Sequence, residues 1–224
     1  MNDPAAPAAV LFDLDGTLLD TAPDMVDALQ LLLVEESRPP VEFASARRWV
    51  SNGVSGMLKV GFGDMSEVDR ARRAERFLSI YASQLTAGTR LFVGMAQVLD
   101  ALETAAIPWG VVTNKAAYLT EPILESLELR GRCACVVSGD TIGARKPSPE
   151  PLLHALAQIP APAAGAWYVG DAARDITAGR DAGMRTIAAL WGYIPPHDDP
   201  AQWGADLHAG HPSDLLVLLA ARSA

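Results

Sequence analysis

The chain has 224 residues, half of them apolar, and a formal net charge of −9. That length suits one large domain, or a core domain with an insertion, around a sizeable hydrophobic core. The acidic balance and the lack of a basic cluster exclude nucleic acid and an anionic membrane as expected partners, while a small anionic substrate stays open because a local site can be positive on an acidic protein.

Val10, Leu11 and Phe12 read as a buried strand that stops at two carboxylates in VLFDLDGTLLDT, residues 10–21. Burying charge is costly unless it is paired, so Asp13 and Asp15 belong at the strand's end, facing a cation or a ligand. From Pro23, the helical spacing of Met25, Val26, Leu29, Leu32 and Leu33 predicts a helix that Arg38-Pro39-Pro40 ends. Helical pieces follow at 43–50 and 54–60, around the turn Ser51-Asn52-Gly53. Ser66 with Asp69 starts a longer helix reaching Leu85, with Phe77, Ile80, Tyr81 and Leu85 on one face. No strand is expected in this block.

From Leu91 the pattern alternates. Helices are expected at 95–106, 117–128, 149–158 and 173–182, and strands at 109–113, 133–137, 166–170 and 185–190. A short strand at 205–207 and a helix from Ser213 complete the order. Short apolar strands alternating with helices imply a parallel sheet covered on both faces. The expected fold is therefore α/β: a Rossmann-like, doubly wound parallel sheet core with an inserted α-helical cap. Residues 1–20 and 90–224 are assigned to the core and 21–89 to the cap.

Cys133 and Cys135 are the two cysteines. On a strand, C-x-C spacing points both the same way, but it suits a disulfide poorly and supplies too few ligands for zinc. Buried thiols in a reducing compartment are expected. The stretch MNDPAAPAAV has no basic region ahead of its apolar run, and no segment approaches membrane-spanning length. The expected location is cytoplasmic.

In a doubly wound sheet, ligands bind beyond the carboxyl ends of the strands near a topological switch point. The polar residues following the strands are Asp13 and Asp15, Thr113 and Asn114, Lys146, and Asp171 with Asp175. Four carboxylates, a hydroxyl and a lysine on one rim describe a site for a hard cation and a phosphoryl group. Mg²⁺ prefers oxygen ligands and keeps several waters, so Asp13, Asp171 and a carbonyl from Asp15 suffice, in a turn that Gly16 permits. One carboxylate can attack phosphorus, and the second can protonate the leaving alcohol and then activate water. Thr113 and Asn114 offer donors to the phosphoryl oxygens, Lys146 supplies positive charge, and Pro147 disfavours a helical backbone at Lys146. An EF-hand calcium loop is a rival for D-x-D-G, but it needs glycine at its sixth position, and here glycine is fourth.

In the cap, Ser51-Asn52-Gly53 and Ser55-Gly56 lie beside Arg47, Arg48 and Trp49. One reading is a helix connection with solvated arginines. The other has Arg48 and Asn52 closing over the phosphate site to select the leaving group.

The order D13-x-D15-G-T-L, T113-N, K146-P, G170-D171-x-x-x-D175 resembles the Mg²⁺-dependent phosphatase branch of the haloacid dehalogenase superfamily. The resemblance implies Asp13 as nucleophile, Asp15 as acid/base, Thr113 and Lys146 on the phosphate, Asp171 on Mg²⁺ and Asp175 on a metal-bound water. Ala172 departs from relatives that carry Ser or Thr after G-D, which removes one hydrogen bond and no assigned role. Within the branch, LFDLDGTLLDTAPD and WVSNGVSGM look like phosphoglycolate phosphatases. WGVVTNK, ARDITAGRDAGMRT and GYIPPHDDPAQWGAD are more similar to N-acetylmuramic acid 6-phosphate phosphatases of peptidoglycan recycling. The resemblance thus implies a small phosphorylated metabolite as partner, the amino sugar phosphate first and phosphoglycolate as alternative. A phosphomutase or a non-catalytic phospho-acceptor domain stays open as a more remote reading.

Overall fold

The computed structural model describes residues 6–220. Residues 1–5 and 221–224, which carry the start of the N-terminal stretch and the outer ends of the expected core, lie outside them. Among the described residues no helix is long and apolar enough to cross a membrane.

Six parallel strands form the main sheet: β1 (Ala9–Phe12), β4 (Trp109–Val112), β5 (Cys135–Val137), β6 (Ala166–Gly170), β7 (Arg185–Ala189) and β8 (Leu207–Ala209). Their order is β5-β4-β1-β6-β7-β8, so the winding reverses at β1 and opens a crevice at its carboxyl end. Side chains alternate across the sheet. Val10 and Phe12 of β1 pack with Trp109, Val169 and Ile187 under α5 (Met95–Thr104), α6 (Ala117–Ser126) and α9 (Pro212–Ala220). Ala9 and Leu11 face the other way, toward α7 (Glu150–Leu156) and α8 (Ala173–Asp181).

Between β1 and α5 the chain leaves the core through β2 (Leu19–Asp20) and returns through β3 (Arg90–Leu91). These two strands pair antiparallel, Leu19 with Leu91 and Asp20 with Arg90, and each is too short to show a sequence period. Helices α1 (Ala22–Glu35), α2 (Phe43–Arg47), α3 (Gly53–Phe62) and α4 (Glu67–Ala82) lie between them around their own apolar cluster of Leu29, Leu32, Leu33, Met57, Phe77 and Tyr81. The buried Asp24 carboxylate ties entry to exit, accepting from the Gly88 N–H (2.6 Å) and the Thr89 N–H (2.8 Å). Helix α4 begins where expected, with the Ser66 hydroxyl accepting from the Asp69 N–H (3.1 Å). It ends three residues before Leu85, where the Ser83 hydroxyl takes the Ile80 carbonyl.

Two expectations need correction. Cys133 lies before β5, in the turn leaving α6, where its N–H bonds the Leu129 carbonyl (3.1 Å). Its side chain therefore joins the cluster on one face of the sheet and Cys135 that on the other, so the two do not point the same way. Both thiols are free and buried, and burial pushes Cys135 up to about 12. The last strand begins two residues later than expected, because the Asp206 carboxylate is spent on the Thr186 N–H (2.7 Å) and hydroxyl (2.9 Å). Pairing then starts with Leu207 opposite Ile187.

Candidate active site

Strand β1 delivers Asp13 with its N–H on the Val169 carbonyl (2.9 Å), and the chain then turns sharply at Gly16. Gly16 has φ +84°, and a Cβ there would collide with the Asp171 carboxylate, so the turn needs glycine twice over. The turn sends the two carboxylates into different surroundings. Asp13 faces Lys146, whose ammonium lies 2.7 Å from Asp13 Oδ1 and 2.8 Å from Asp175 Oδ1. Asp15 turns to the other side, where its Oδ1 accepts from Lys115 Nζ (2.8 Å) and the Thr21 hydroxyl (2.7 Å).

The remaining motif residues arrive from neighbouring strand ends. Thr113 follows β4, and its hydroxyl accepts the Lys115 N–H (3.1 Å). Asn114 spends its carboxamide on the Lys146 main chain, donating to the carbonyl (2.9 Å) and accepting from the N–H (3.0 Å). The sequence expectation aimed this amide at phosphoryl oxygens; its observed contacts orient Lys146. Lys146 also donates to the Val112 carbonyl (3.0 Å) and the Tyr168 hydroxyl (2.8 Å). Its side chain is 1% exposed, so its charge acts on the Asp13 carboxylate from behind. Asp171 follows β6; its Oδ2 accepts from the Tyr193 N–H (2.8 Å) and the Ser51 hydroxyl (2.6 Å). Asp175, in the first turn of α8, accepts the Ala172 N–H (3.0 Å).

Oxygens of Asp13, Asp171 and Asp175 lie within 4.8 Å of one another, all buried. Burial, and then the Asp13 and Asp175 charges, push the Asp171 carboxyl up to about 7. Burial raises Asp13 as well, with Lys146 opposing. An all-oxygen, over-charged cluster of this kind suits a hard divalent cation. Asp13, Asp171 and Asp175 all present carboxylate oxygens to such an ion, and Lys146 is paired with both Asp13 and Asp175 while Asp171 makes no contact with it. The Asp15 carboxylate stands outside the cluster. Its carbonyl is nearer: the Ser51 hydroxyl that bonds Asp171 also lies 3.4 Å from Asp15 O.

A cavity of about 470 Å³ opens on Asp13 and Asp15 between the sheet and the helical insertion. Thr113, Asn114, Lys115, Arg145 and Arg174 line its core side, and Ser51, Asn52, Phe77, Leu78 and Tyr81 its cap side. Asn52 thus lines the cavity, whereas Arg48 does not. Arg48 is exposed and lines a separate surface hollow with Trp49, Pro196 and His197, where the Trp49 and His197 rings meet at a tilt of 34° with centroids 5.3 Å apart. Three residues were missed by sequence reasoning. Lys115 directly follows T-N, Arg174 sits inside G-D-x-x-R-D, and Ser51 lies in the cap turn. The only available signal was their position beside motif residues. Burial works against the Arg174 charge, but Asp175, Asp13 and Asp171 outweigh it, and its Nη2 donates to the Ser51 carbonyl (2.7 Å).

A family model described as haloacid dehalogenase-like hydrolase matches residues 10–189. Among curated proteins, the chain is 45% identical over 209 residues to a phosphoglycolate phosphatase of Xanthomonas campestris pv. campestris (strain 8004), covering 93% of this chain and 95% of that one. It is 42% identical over 214 residues to an N-acetylmuramic acid 6-phosphate phosphatase of Pseudomonas aeruginosa, covering 94% of each. Among solved structures, a protein described as a predicted phosphoglycolate phosphatase from Haemophilus somnus 129pt shares the fold with a TM-score of 0.82 at 24% identity, over 94% of this chain and 97% of that one. The motif order, the crevice at β1 and these likenesses agree: the chain belongs to the haloacid dehalogenase-like hydrolase family.

Proposed function

We propose that the protein is a Mg²⁺-dependent phosphatase that cleaves a small phosphate monoester through an aspartyl-phosphate, and that its substrate is N-acetylmuramic acid 6-phosphate. One observation carries the reading of the chemistry: a single turn puts Asp13 against Lys146 in the carboxylate cluster and Asp15 against Lys115 in the cavity. Two carboxylates in unlike surroundings suit two unlike tasks. In this reading Asp13 attacks phosphorus, Asp15 gives its proton to the departing oxygen, and Asp15 then takes a proton from the water that opens the acyl phosphate. Lys146 holds Asp13 for attack, and Asn114 holds Lys146. Thr113 and Arg174 line the cavity where phosphoryl oxygens would sit. Asp13, Asp171 and the Asp15 carbonyl would hold Mg²⁺, which supplies positive charge to bring a dianionic ester against the carboxylates; Asp175 supports the cluster through Lys146.

The cavity supports the larger substrate. Its 470 Å³ falls within the usual range for drug-sized ligands, and Met25, Phe77, Leu78 and Leu119 offer an apolar wall that a two-carbon acid would leave uncovered. Similarity to the Pseudomonas enzymes points the same way, at 42% and 43% identity. Phosphoglycolate is the second reading, favoured by the likeness to the Xanthomonas protein. The free buried thiols fit a reducing, cytoplasmic location.

The test is kcat/KM for the two esters under identical Mg²⁺. The amino sugar phosphate is expected to be the better substrate. A preference for phosphoglycolate above about tenfold, ~1.4 kcal/mol of transition-state binding, overturns the substrate and leaves the phosphatase standing. Turnover of neither ester, nor of any other in a monoester panel, overturns the reaction itself.

A further inference from the structure

Lys115 is placed by the fold against the acid/base candidate, and no motif role accounts for it. Its side chain is 6% exposed, its Nζ lies 2.8 Å from Asp15 Oδ1, and its own N–H is fixed on the Thr113 hydroxyl (3.1 Å). From the cap side, Tyr81 of α4 brings its ring centroid to 4.8 Å from the ammonium. The Tyr81 hydroxyl is buried, belongs to a residue lining the cavity, interacts with the Lys115 ammonium, and donates its own proton to no group among the described residues. Such a group carries a desolvation cost that a ligand oxygen would relieve. An ammonium has three donors, and Asp15 takes one of them.

We propose that Lys115 and the Tyr81 hydroxyl form a specificity site for the alcohol half of the substrate, donating to an oxygen carried on the carbon next to the ester carbon. The inference rests on the phosphatase reading and follows from reach. To protonate the departing oxygen, Asp15 must come within about 2.6–3.2 Å of it. Lys115 is bonded to that same carboxylate, so its ammonium lies within two hydrogen bonds of the ester oxygen. Atoms two or three bonds further along the alcohol fall within its grasp. A carboxylate oxygen of a two-carbon acid phosphate occupies that position, and so does the ring oxygen of a hexose 6-phosphate. A plain alkyl phosphate offers nothing there, and would leave both donors unsatisfied.

Two matched ester pairs test this: phosphoglycolate against ethyl phosphate, and (oxan-2-yl)methyl phosphate against cyclohexylmethyl phosphate, each measured as kcat/KM. The wild type is expected to prefer the oxygen-bearing member of at least one pair by about tenfold or more. The pair that shows it identifies whether a carboxylate or a ring oxygen is read. In Lys115→Met that preference should fall to within about threefold of unity, even though both rates drop as Asp15 loses its partner. Tyr81→Phe, which deletes an oxygen that donates to no group in the fold, should lower the same preference severalfold while the protein still unfolds cooperatively. Equal losses for both members of each pair would reduce Lys115 to a support for Asp15 and overturn the proposal, as would a wild type with no preference. A wild type that hydrolyses none of the four esters overturns the phosphatase reading first, and this one with it.

Discussion

The metal-free protein should lose stability between pH 5 and pH 8, and Asp171→Asn should abolish most of that loss. Three buried carboxylates crowd within 4.8 Å of one another in the folded chain. Asp171 titrates at about 7 there, against an ordinary 3.8. Below the unfolded value both states carry the proton and the group adds no pH dependence. As pH rises through about 4 to 7 the unfolded state ionises first, so folding loses free energy, and above the folded value the loss is complete. At ~1.4 kcal/mol per unit, about three units amount to ~4 kcal/mol in full, of which ~3 kcal/mol falls between pH 5 and 8. Asparagine keeps an oxygen for the Tyr193 N–H but carries no charge. Urea unfolding of both proteins with a chelator present, at half-unit steps, isolates the effect as the difference between them. Asp171→Asn should gain ~3 kcal/mol on the wild type across that range. Saturating Mg²⁺ should restore the wild type by binding only its folded state, with little effect on the variant. A difference that stays flat from pH 5 to 8 refutes the reasoning.

Asp13→Asn should abolish turnover of every ester while thermal unfolding stays cooperative, and Asp15→Asn should cripple it; substantial activity in purified Asp13→Asn excludes it as nucleophile. Lys146→Met leaves Asp13 and Asp175 buried without their shared cation, and should cost ~3–5 kcal/mol in urea unfolding at pH 8; a cost below ~1 kcal/mol contradicts the pairing. Steady-state turnover should need Mg²⁺ and be inhibited by Ca²⁺, whose larger coordination number would engage both oxygens of Asp13; full activity after exhaustive chelation contradicts the site. Arg48→Ala should leave the ranking of substrates unchanged because Arg48 lies outside the cavity, whereas Ser51→Ala should lower turnover of every ester through the lost contacts to Asp171 and Asp15; a changed ranking in Arg48→Ala would contradict this placement.

Much of this architecture was legible along the chain because its signals are local. Strand β1 reads from three apolar residues cut off by carboxylates, and the alternation from Leu91 onward follows from short apolar runs between helical periods. The four-part site was legible too, because a doubly wound sheet puts every strand's carboxyl end on the same rim, whatever their separation in sequence. Asp13 and Asp171 are 158 positions apart and still meet. What failed was orientation. Cys133 was placed on a strand that starts two residues later, and β2 and β3, at two residues each, are too short for any period to appear.

Residue types and spacing alone thus determined the sheet, the helical insertion and the set of groups at the rim. Only the tertiary structure decided which group faces which. The turn at Gly16 separates Asp13 from Asp15, the cap places Arg48 beside Trp49 and His197 in a separate hollow, and the path after β4 brings Lys115 onto Asp15. Apolar periodicity records which side of an element is buried, since burial acts on each residue where it stands. The partner of a buried charge is set by whatever distant segment closes over it, and that leaves no period in the sequence.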